Sequence, residues 1–224
     1  MKSKLIVIEG VDSSGKATQS RLLYQKLVEM GYSAAAIEFP NYNSDSSAVV
    51  KMYLNGEFGK EPESVSAYAA SVIFAVDRFA TVKNTYKQMF EQSDVVIADR
   101  YTTSNMVHQA SKIADVEQKG IFLDWLYDLE YNKLSLPQPD LTIFLDMPVE
   151  HAKVLMAQRA NKIDNTMQKD IHESNDKYLQ ESYDNACFVA KKYNWTQIKC
   201  VKDEKVRNIE DIASEILDSV LKIL

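Results

Sequence analysis

The feature that most constrains the fold of this chain is segment 10–16, which reads G-V-D-S-S-G-K. It follows a short apolar run at 5–8 and precedes a segment whose leucines recur at helical spacing. A strand, a glycine-rich turn and a helix, in that order, are the context in which this motif forms a phosphate-binding P-loop. The backbone N–H groups of such a loop surround an anion, and the helix directs the positive end of its dipole at it. The sequence therefore predicts a nucleotide site in which Lys16 reaches the β- and γ-phosphates.

One position departs from this motif. The residue after the lysine is normally Ser or Thr, whose hydroxyl binds Mg²⁺, whereas this chain has Ala17 and places Thr18 one residue later. The glycines and the lysine are kept, so phosphate binding is still favoured over a turn that merely joins a strand to a helix. The sequence leaves open how Mg²⁺ is held.

The composition is that of an ordinary globular protein, and we predict a single domain over residues 1–224, with 46% hydrophobic and 26% charged residues. The formal net charge of −6 argues against a nucleic-acid-binding protein, which would carry a basic face. We find no secretory signal and no apolar stretch of membrane-spanning length. The expected location is therefore the cytoplasm, with no membrane partner.

The cysteines and histidines do not indicate a disulfide framework or a metal site. Cys187 and Cys200 are too few and too far apart for a disulfide scaffold, and no C-x-x-C occurs. The histidines at 108, 151 and 172 lack the spacing of metal ligands, so we interpret them as structural or solvated.

Short apolar runs alternate with helical patterns along the chain. The runs predict strands at 5–8, 34–39, 95–98, 141–145 and 197–201. Besides the helix after the P-loop, the helical patterns lie at 46–54, 63–91, 102–114, 120–131, 148–159, 173–193 and 209–223. Such alternation predicts a five-stranded parallel sheet with helices on both faces. Ligands bind at the carboxyl ends of such strands, where this chain has Glu9, Asp99-Arg100 and Asp146.

The strand end at Asp99-Arg100 carries a candidate constellation. An aspartate there occupies the place from which such folds approach the P-loop magnesium, and an adjacent arginine can bind phosphate oxygens through two donors. The alternative is an Asp–Arg pair that simply caps a strand. The polar segment 161–172 is ambiguous in the same way, since composition alone favours a surface loop over a lid that closes on substrate.

Phe74 and Arg78 are four residues apart and so share one face of a helix. A flat ring beside a planar donor group can stack on a nucleobase and read its edge. Taken singly, however, the phenylalanine is better interpreted as core and the arginine as a solvated charge.

Taken together, these motifs resemble thymidylate kinases, the P-loop nucleoside-monophosphate kinases that phosphorylate dTMP. The resemblance covers nearly the whole chain: I-E-G-V-D-x-x-G-K-x-T-Q at 8–19, F-P at 39–40, F-x-x-x-R at 74–78, D-R-Y-x-x-S at 99–104 and L-P-x-P-D-L-x-x-F-L at 136–145. Five motifs in this order are far more specific than any one of them. They therefore favour a role in binding or catalysis for Phe74, Arg78 and Asp99-Arg100 over a purely structural one.

The resemblance implies a role for each matching position. The ATP-binding residues would be Gly10, Val11, Asp12, Ser13, Ser14, Gly15, Lys16, Ala17 and Thr18. The dTMP-binding residues would be Asp12, Pro40, Tyr42, Leu54, Phe74, Arg78, Arg100, Ser104 and Gln109. Among them, Asp12 would contact the region of the 3′-hydroxyl, Phe74 would stack on thymine and Arg78 would bind its edge. The catalytic residues would be Lys16, Asp99, Arg100 and Arg159, with Asp99 binding Mg²⁺ through water.

The resemblance also implies a lid at about 160–172 and a homodimer formed through the predicted helix 63–91. Two departures affect the acceptor and the metal: Ala17 replaces the magnesium ligand, and Tyr42 is interpreted as standing where many members have an arginine that binds the dTMP phosphate. The P-loop also lacks the arginine that some members place in it, which implicates Arg159 of the lid, with Lys162 and Lys169 as weaker candidates.

The sequence thus predicts an α/β protein of the P-loop NTPase fold, doubly wound around a five-stranded parallel sheet. The expected activity is ATP-dependent phosphorylation of dTMP to dTDP with Mg²⁺. One alternative is a kinase of the same fold that acts on another deoxynucleotide or on a deoxynucleoside. The other is a nucleotide-binding sensor that has lost catalysis through Ala17 and Tyr42.

Overall fold

The computed structural model describes residues 3–160 and 176–224, apart from the side chains of residues 158–160. Five strands form one parallel sheet: β1 (Lys4–Glu9), β2 (Ala34–Glu38), β3 (Val95–Asp99), β4 (Leu141–Asp146) and β5 (Thr196–Lys199). Their order is β2-β3-β1-β4-β5, with every neighbouring pair parallel. The predicted fold is therefore confirmed, with the P-loop strand β1 at the centre of the sheet.

Both faces of the sheet are buried because its central strands are apolar at successive positions, which point to opposite sides. From β1, Ile6 and Ile8 pack with residues of the first and last helices, while Leu5 and Val7 pack on the other face with Tyr86 and Tyr101. All four of these aliphatic residues of β1 are at most 1% exposed. Because β1 is packed on both faces, its carboxyl end is held in place, and the P-loop begins from this rigid position.

The described residues form these α-helices: α1 (Lys16–Glu29), α2 (Ala48–Leu54), α3 (Ala67–Asn84), α4 (Lys87–Gln92), α5 (Thr102–His108), α6 (Val116–Tyr127), α7 (Val149–Ala160), α8 (Asp176–Lys192) and α9 (Ile209–Leu221). None of these helices is long and apolar enough to cross a lipid bilayer.

The prediction of one helix over 63–91 is wrong. The structure has α3 and α4 there, preceded by a short 3₁₀ turn at Pro62–Ser64. The helix α3 begins where Ser66 caps it, by accepting a hydrogen bond from the Ala69 N–H at 3.2 Å. The break before α4 falls at Tyr86, whose buried ring packs edge-on against Phe39 at the end of β2. Tertiary packing of this ring therefore overrides the helical pattern.

The helical pattern at 120–131 also differs from the structure. The helix α6 begins earlier, because Asp115 caps it by accepting from the Gln118 N–H at 2.8 Å. After Tyr127 the chain widens into a π-helical turn, Asp128–Lys133. Such turns occur often at functional sites.

Two further predictions were too long. The helix predicted at 102–114 ends at His108 and is followed by a 3₁₀ turn at Ala110–Lys112. The strand predicted at 197–201 ends at Lys199, and the next residues form a two-stranded antiparallel hairpin of β6 (Val201–Lys202) and β7 (Lys205–Val206). This hairpin lies outside the main sheet.

Candidate active site

Two cavities adjoin at the carboxyl edge of the sheet. The larger has a volume of about 730 Å³ and contains the P-loop in its wall, and the smaller has a volume of about 210 Å³. Five residues line both cavities: Asp12, Phe39, Pro40, Tyr42 and Arg100. Two ligands, one in each cavity, would therefore meet beside Asp12 and Arg100.

The P-loop joins β1 to α1 and forms one end of the larger cavity. Its residues from Asp12 to Thr18 line the cavity, whereas Gly10 and Val11 of the predicted ATP site do not. A Cβ atom at Gly10 would lie 2.6 Å from Ser14 Oγ and 3.1 Å from the Leu145 carbonyl oxygen, so glycine allows the loop to approach β4. Gly15 has φ +96°, a left-handed conformation that glycine adopts without strain.

Lys16 lies folded into the P-loop and is only 7% exposed. Its Nζ donates to the Val11 carbonyl oxygen at 2.8 Å and lies 4.0 Å from Asp12 Oδ1. Burial, together with the charge of Arg100, lowers the pKa of Lys16 to about 8, although Asp12, Asp99 and Glu9 act in the opposite direction. An anion in the loop would stabilise the charged form of this ammonium group.

Asp99 ends β3 in the wall of the larger cavity, near Lys16. Burial raises the pKa of its carboxyl, while the charges of Lys16 and Arg100 partly offset this. Within the described residues, no hydrogen bond or ion pair uses the side chain of Asp99. A carboxylate in this position offers the oxygen ligands that suit a hydrated Mg²⁺. The residues present therefore fit a hydrated magnesium ion beside the P-loop.

Arg100 lies between the two cavities with φ +65°, a left-handed conformation that is uncommon for a residue with a side chain. Its Nη2 pairs with the Asp12 carboxylate, its Nη1 lies 3.0 Å from Nε2 of His108, and Nη1 lies 3.8 Å from Glu9 Oε1. Burial opposes the charge of this guanidinium, but Asp12, Glu9 and Asp99 outweigh burial and raise the pKa of Arg100. The residue is therefore a permanent cation at the junction.

The far end of the larger cavity was not predicted from the sequence. It is lined by Leu155 of α7, Val206 of β7, and Ile209 and Ile212 of α9. Met147, just after β4, and Arg207, just after β7, complete this part of the wall. Arg207 is held there by an ion pair with Glu215 at 2.8 Å and by donating to the Lys199 carbonyl oxygen at 2.6 Å. Met147 lies 131 positions after Lys16, and Ile212 lies 196 positions after it. These residues carry no motif, so only the fold brings them to the P-loop.

The smaller cavity contains every residue of the predicted dTMP set. Its wall includes Asp12, Pro40, Tyr42, Leu54, Phe74, Arg78, Arg100, Ser104 and Gln109. The ring of Phe74 is half-buried and packs edge-on against Tyr53 at 5.8 Å. Ser104 differs from the expectation in one respect, since its Oγ donates to Glu9 Oε2 at 2.7 Å. The assignment of these residues to dTMP stays a prediction.

Arg78 is fully buried in the wall of this cavity, at 3% exposure, rather than solvated. Its Nε and Nη2 donate to the two carboxylate oxygens of Glu130 at 2.8 and 3.2 Å. Its guanidinium also lies 5.6 and 5.7 Å from the ring centres of Phe39 and Tyr101. Burial opposes its charge, but Glu130 raises the pKa of Arg78. The arginine is thus a fixed donor group that faces the cavity.

Asn105 and His108 also line the smaller cavity, although the sequence did not indicate either as a site residue. Asn105 follows the motif D-R-Y-x-x-S directly, which is the one signal that could have identified it. Its Nδ2 donates to the Ser71 carbonyl oxygen at 3.2 Å and to Glu130 Oε1 at 2.9 Å. The interpretation of His108 as structural or solvated is incomplete, because its ring contacts Arg100 in the cavity wall.

Two other predicted site residues lie elsewhere. Asp146 ends β4 but lines neither cavity; it accepts from the Tyr183 hydroxyl at 2.7 Å and from Gln197 Nε2 at 2.8 Å, so it joins β4 to β5 and α8. Arg159 belongs to α7, but its side chain lies outside the described residues, as do Lys162, Lys169 and the predicted lid beyond residue 160.

Comparison with known proteins agrees with this geometry. Residues 8–204 match a family model described as thymidylate kinase. A thymidylate kinase of Mycobacterium tuberculosis is 35% identical over 70% of this chain and 72% of its own length. A probable thymidylate kinase of Thermococcus onnurineus is 34% identical over 66% of this chain and 68% of its own length. The solved structure of a thymidylate kinase from Candida albicans has the same fold, with a TM-score of 0.72, 21% identity, and coverage of 99% of this chain and 92% of that one.

Proposed function

Because this chain belongs to the thymidylate kinase family, we propose that it transfers the γ-phosphoryl group of ATP to dTMP, giving dTDP and ADP. The observation that carries the proposal is the pair of cavities that adjoin at Asp12 and Arg100. The larger one, which contains the P-loop, suits the triphosphate donor. The smaller one suits the acceptor, whose phosphate would then lie next to the γ-phosphate.

The polar groups of the smaller cavity support thymine as the acceptor base. Arg78 offers only hydrogen-bond donors, whereas the Nδ2 of Asn105 is already used by Ser71 and Glu130, which leaves its Oδ1 as an acceptor. Thymine presents an oxygen acceptor beside an N–H donor on one edge, which complements this pair. Cytosine presents an amino donor beside a nitrogen acceptor, so both contacts would be mismatched and cytosine would bind poorly.

The transfer itself asks for alignment and positive charge rather than for acid–base chemistry. An oxygen of the acceptor phosphate, which is already anionic, forms the new bond to the γ-phosphorus, while the bond to the oxygen bridging the β- and γ-phosphates breaks and ADP leaves. Lys16 and Arg100 are the described cations placed to hold the phosphates during this step. No side chain has to remove a proton from the acceptor.

We further propose that Mg²⁺ accompanies ATP in the larger cavity. Asp99 would hold it through water, and Ala17 contributes no hydroxyl, so the phosphates and water would supply most of its ligands. When bound, Mg²⁺ would neutralise phosphate charge. Thr18 lies one residue further along α1, about 100° around the helix axis, and we place its hydroxyl on the α-phosphate.

An exposed apolar stripe on α3 supports a homodimer. Tyr68, Val72, Val76 and Phe79 lie along one side of this helix and are 41%, 42%, 55% and 36% exposed. A contiguous apolar patch on a protein surface often marks a site of interaction with another protein. A second copy of α3 presents the same stripe in reverse, as a two-fold interface requires.

The cytoplasmic location stays a prediction. Cys187 and Cys200 are both free thiols.

The function is tested by following ADP formation with ATP and a panel of acceptors: dTMP, dUMP, dCMP, dGMP and thymidine. We expect turnover with dTMP, weaker turnover with dUMP, and little with dCMP or thymidine. A preference for another nucleotide or for the nucleoside would favour the alternative kinase. Tight binding of ATP and dTMP without any ADP would favour the sensor and contradict the proposal.

A further inference from the structure

The guanidinium of Arg100 is held from several sides, and one of the groups that hold it has no role in the function proposed above. The Asp12 carboxylate pairs with Nη2, and Glu9 Oε1 lies 3.8 Å from Nη1. The remaining contact is the 3.0 Å distance between Nη1 and Nε2 of His108, a residue that is 8% exposed and lines the acceptor cavity.

A hydrogen bond at this contact is compatible with only one protonation state of His108. An arginine side chain carries five N–H donors and no acceptor, so Nε2 of the imidazole has to accept. This hydrogen bond requires a neutral ring with its proton on Nδ1, because an imidazolium would place one N–H against another. The adjacent positive charge of Arg100 favours the same neutral form.

A neutral acceptor has a different effect on Arg100 from a carboxylate. Asp12 and Glu9 already supply two negative charges next to the guanidinium. A third carboxylate would compensate its charge further and compete with phosphate. An imidazole directs one N–H of Arg100 without adding negative charge, so the cation stays available to the phosphates at the junction.

His108 is itself held firmly by α8. Its ring stacks on Tyr178 with a centroid distance of 6.2 Å and an interplanar angle of 21°. The Tyr178 hydroxyl donates to the His108 carbonyl oxygen at 3.1 Å, and Asn185 Nδ2 donates to the Met106 and Val107 carbonyl oxygens at 2.9 and 2.6 Å. The end of α5 that carries His108 is thus fixed against α8, and the position of Nε2 is set by this packing.

We propose that His108 is a positioning residue for phosphoryl transfer: its neutral imidazole accepts from Arg100 and orients the guanidinium towards the junction of the two cavities. The inference deepens the proposed kinase function and rests on it. His108 acts through Arg100, so removing its acceptor lowers the rate only as far as Arg100 depends on it.

The test compares two substitutions that differ in the acceptor. His108→Phe keeps a ring for Tyr178 but has no acceptor, and His108→Gln places an amide oxygen near the position of Nε2. We expect His108→Phe to lower kcat about tenfold or more, the scale of losing a hydrogen bond to a charged group. We expect His108→Gln to recover most of the rate, and both variants to keep KM for ATP within about twofold of the wild type. The matched control is His151→Phe on α7, which lines neither cavity and should leave kcat unchanged.

A double-mutant cycle tests whether the effect passes through Arg100. In an Arg100→Lys background, whose ammonium lacks the planar set of donors, His108→Phe should cost almost nothing further. Equal losses in both backgrounds, or a His108→Gln variant as slow as His108→Phe, would overturn the proposal.

A measurement without turnover separates this inference from the proposed function. Nitrogen NMR of the imidazole in the wild-type protein should show the Nδ1–H tautomer at His108, and Arg100→Lys should disturb it. An Nε2–H tautomer or an imidazolium contradicts the inference, even where His108→Phe fails to fold. A wild-type protein with the expected tautomer but no dTMP kinase activity contradicts the proposed function instead.

Discussion

At the scale of single residues, the P-loop lysine has an unusual electrostatic position. Lys16 is buried next to Arg100, and its pKa is lowered to about 8. The phosphates of ATP would stabilise its ammonium form and raise this pKa again. Binding of ATP is therefore expected to be coupled to protonation of Lys16.

The coupling has a definite sign. At pH 7 the lysine is already protonated, so ATP binding should take up almost no proton. At pH 9 the free protein has mostly lost this proton, so binding should take up about one proton, and affinity should fall as the pH rises from 8 to 10. Isothermal titration calorimetry in buffers of different ionisation enthalpy measures the uptake. Lys16→Met should abolish it, whereas Lys87→Met on exposed α4 should not. Equal uptake in the Lys16→Met variant would assign the proton to another group.

The residue after the lysine determines how much Mg²⁺ the protein needs. Ala17 supplies no metal-binding hydroxyl, so we expect Ala17→Ser to lower the Mg²⁺ concentration that gives half-maximal activity. Asp99→Asn should raise it, because the amide oxygen binds a hydrated cation more weakly than a carboxylate. An activity titration with Mg²⁺ checks both. If Ala17→Ser has no effect while Thr18→Val raises the requirement sharply, Thr18 is the ligand.

At the scale of secondary-structure elements, the π-helical turn Asp128–Lys133 holds two side chains of the smaller cavity in place. It brings Glu130, which is 1% exposed, beneath Arg78 of α3 and Asn105 of α5. One carboxylate thus orients a donor and an amide that come from two different helices. The predicted base recognition depends on this turn, although Glu130 itself does not line the cavity.

We therefore expect Glu130→Ala to weaken both stability and base recognition. It would leave the Arg78 charge buried without its carboxylate partner, which typically lowers the free energy of unfolding by about 3–5 kcal/mol. KM for dTMP should rise more than KM for ATP. Urea unfolding and steady-state kinetics measure the two effects. Asp128→Ala is the matched control in the same turn, since the ion pair of Asp128 with Lys133 is exposed and should contribute little to stability. Equal stability of the two variants would contradict the structural role of Glu130.

At the scale of the whole molecule, the exposed apolar stripe of α3 lies outside both cavities, so an interface could form there without covering them. Val76 is the most exposed residue of its apolar stripe, at 55%. In the proposed dimer, Val76→Glu would place two like charges in an apolar contact, so we expect monomers in analytical ultracentrifugation. Val154→Glu on α7, where the valine is 56% exposed, should leave the association state unchanged. If the wild-type protein is monomeric at assay concentrations, the proposal that α3 forms a dimer interface is wrong.

The sequence by itself determined the parts of this protein whose signals are local. Continuous apolar runs specify buried parallel strands, and a glycine-rich turn between a strand and a helix specifies an anion site, so the sheet and the P-loop followed from neighbouring residues. The same holds for Phe74 and Arg78, which share a helix face because of their spacing alone.

Only the tertiary structure decided which groups line the two cavities. Arg78 meets Glu130 across 52 positions of the chain, and Arg100 meets Asp12 across 88. The β6–β7 hairpin, from the far end of the sequence, lines the same cavity as the P-loop. Such pairings have no local pattern, since buried charges find whichever partners packing brings within hydrogen-bond distance. The sequence therefore located the site, while the fold set the donors, acceptors and charges that give it a function.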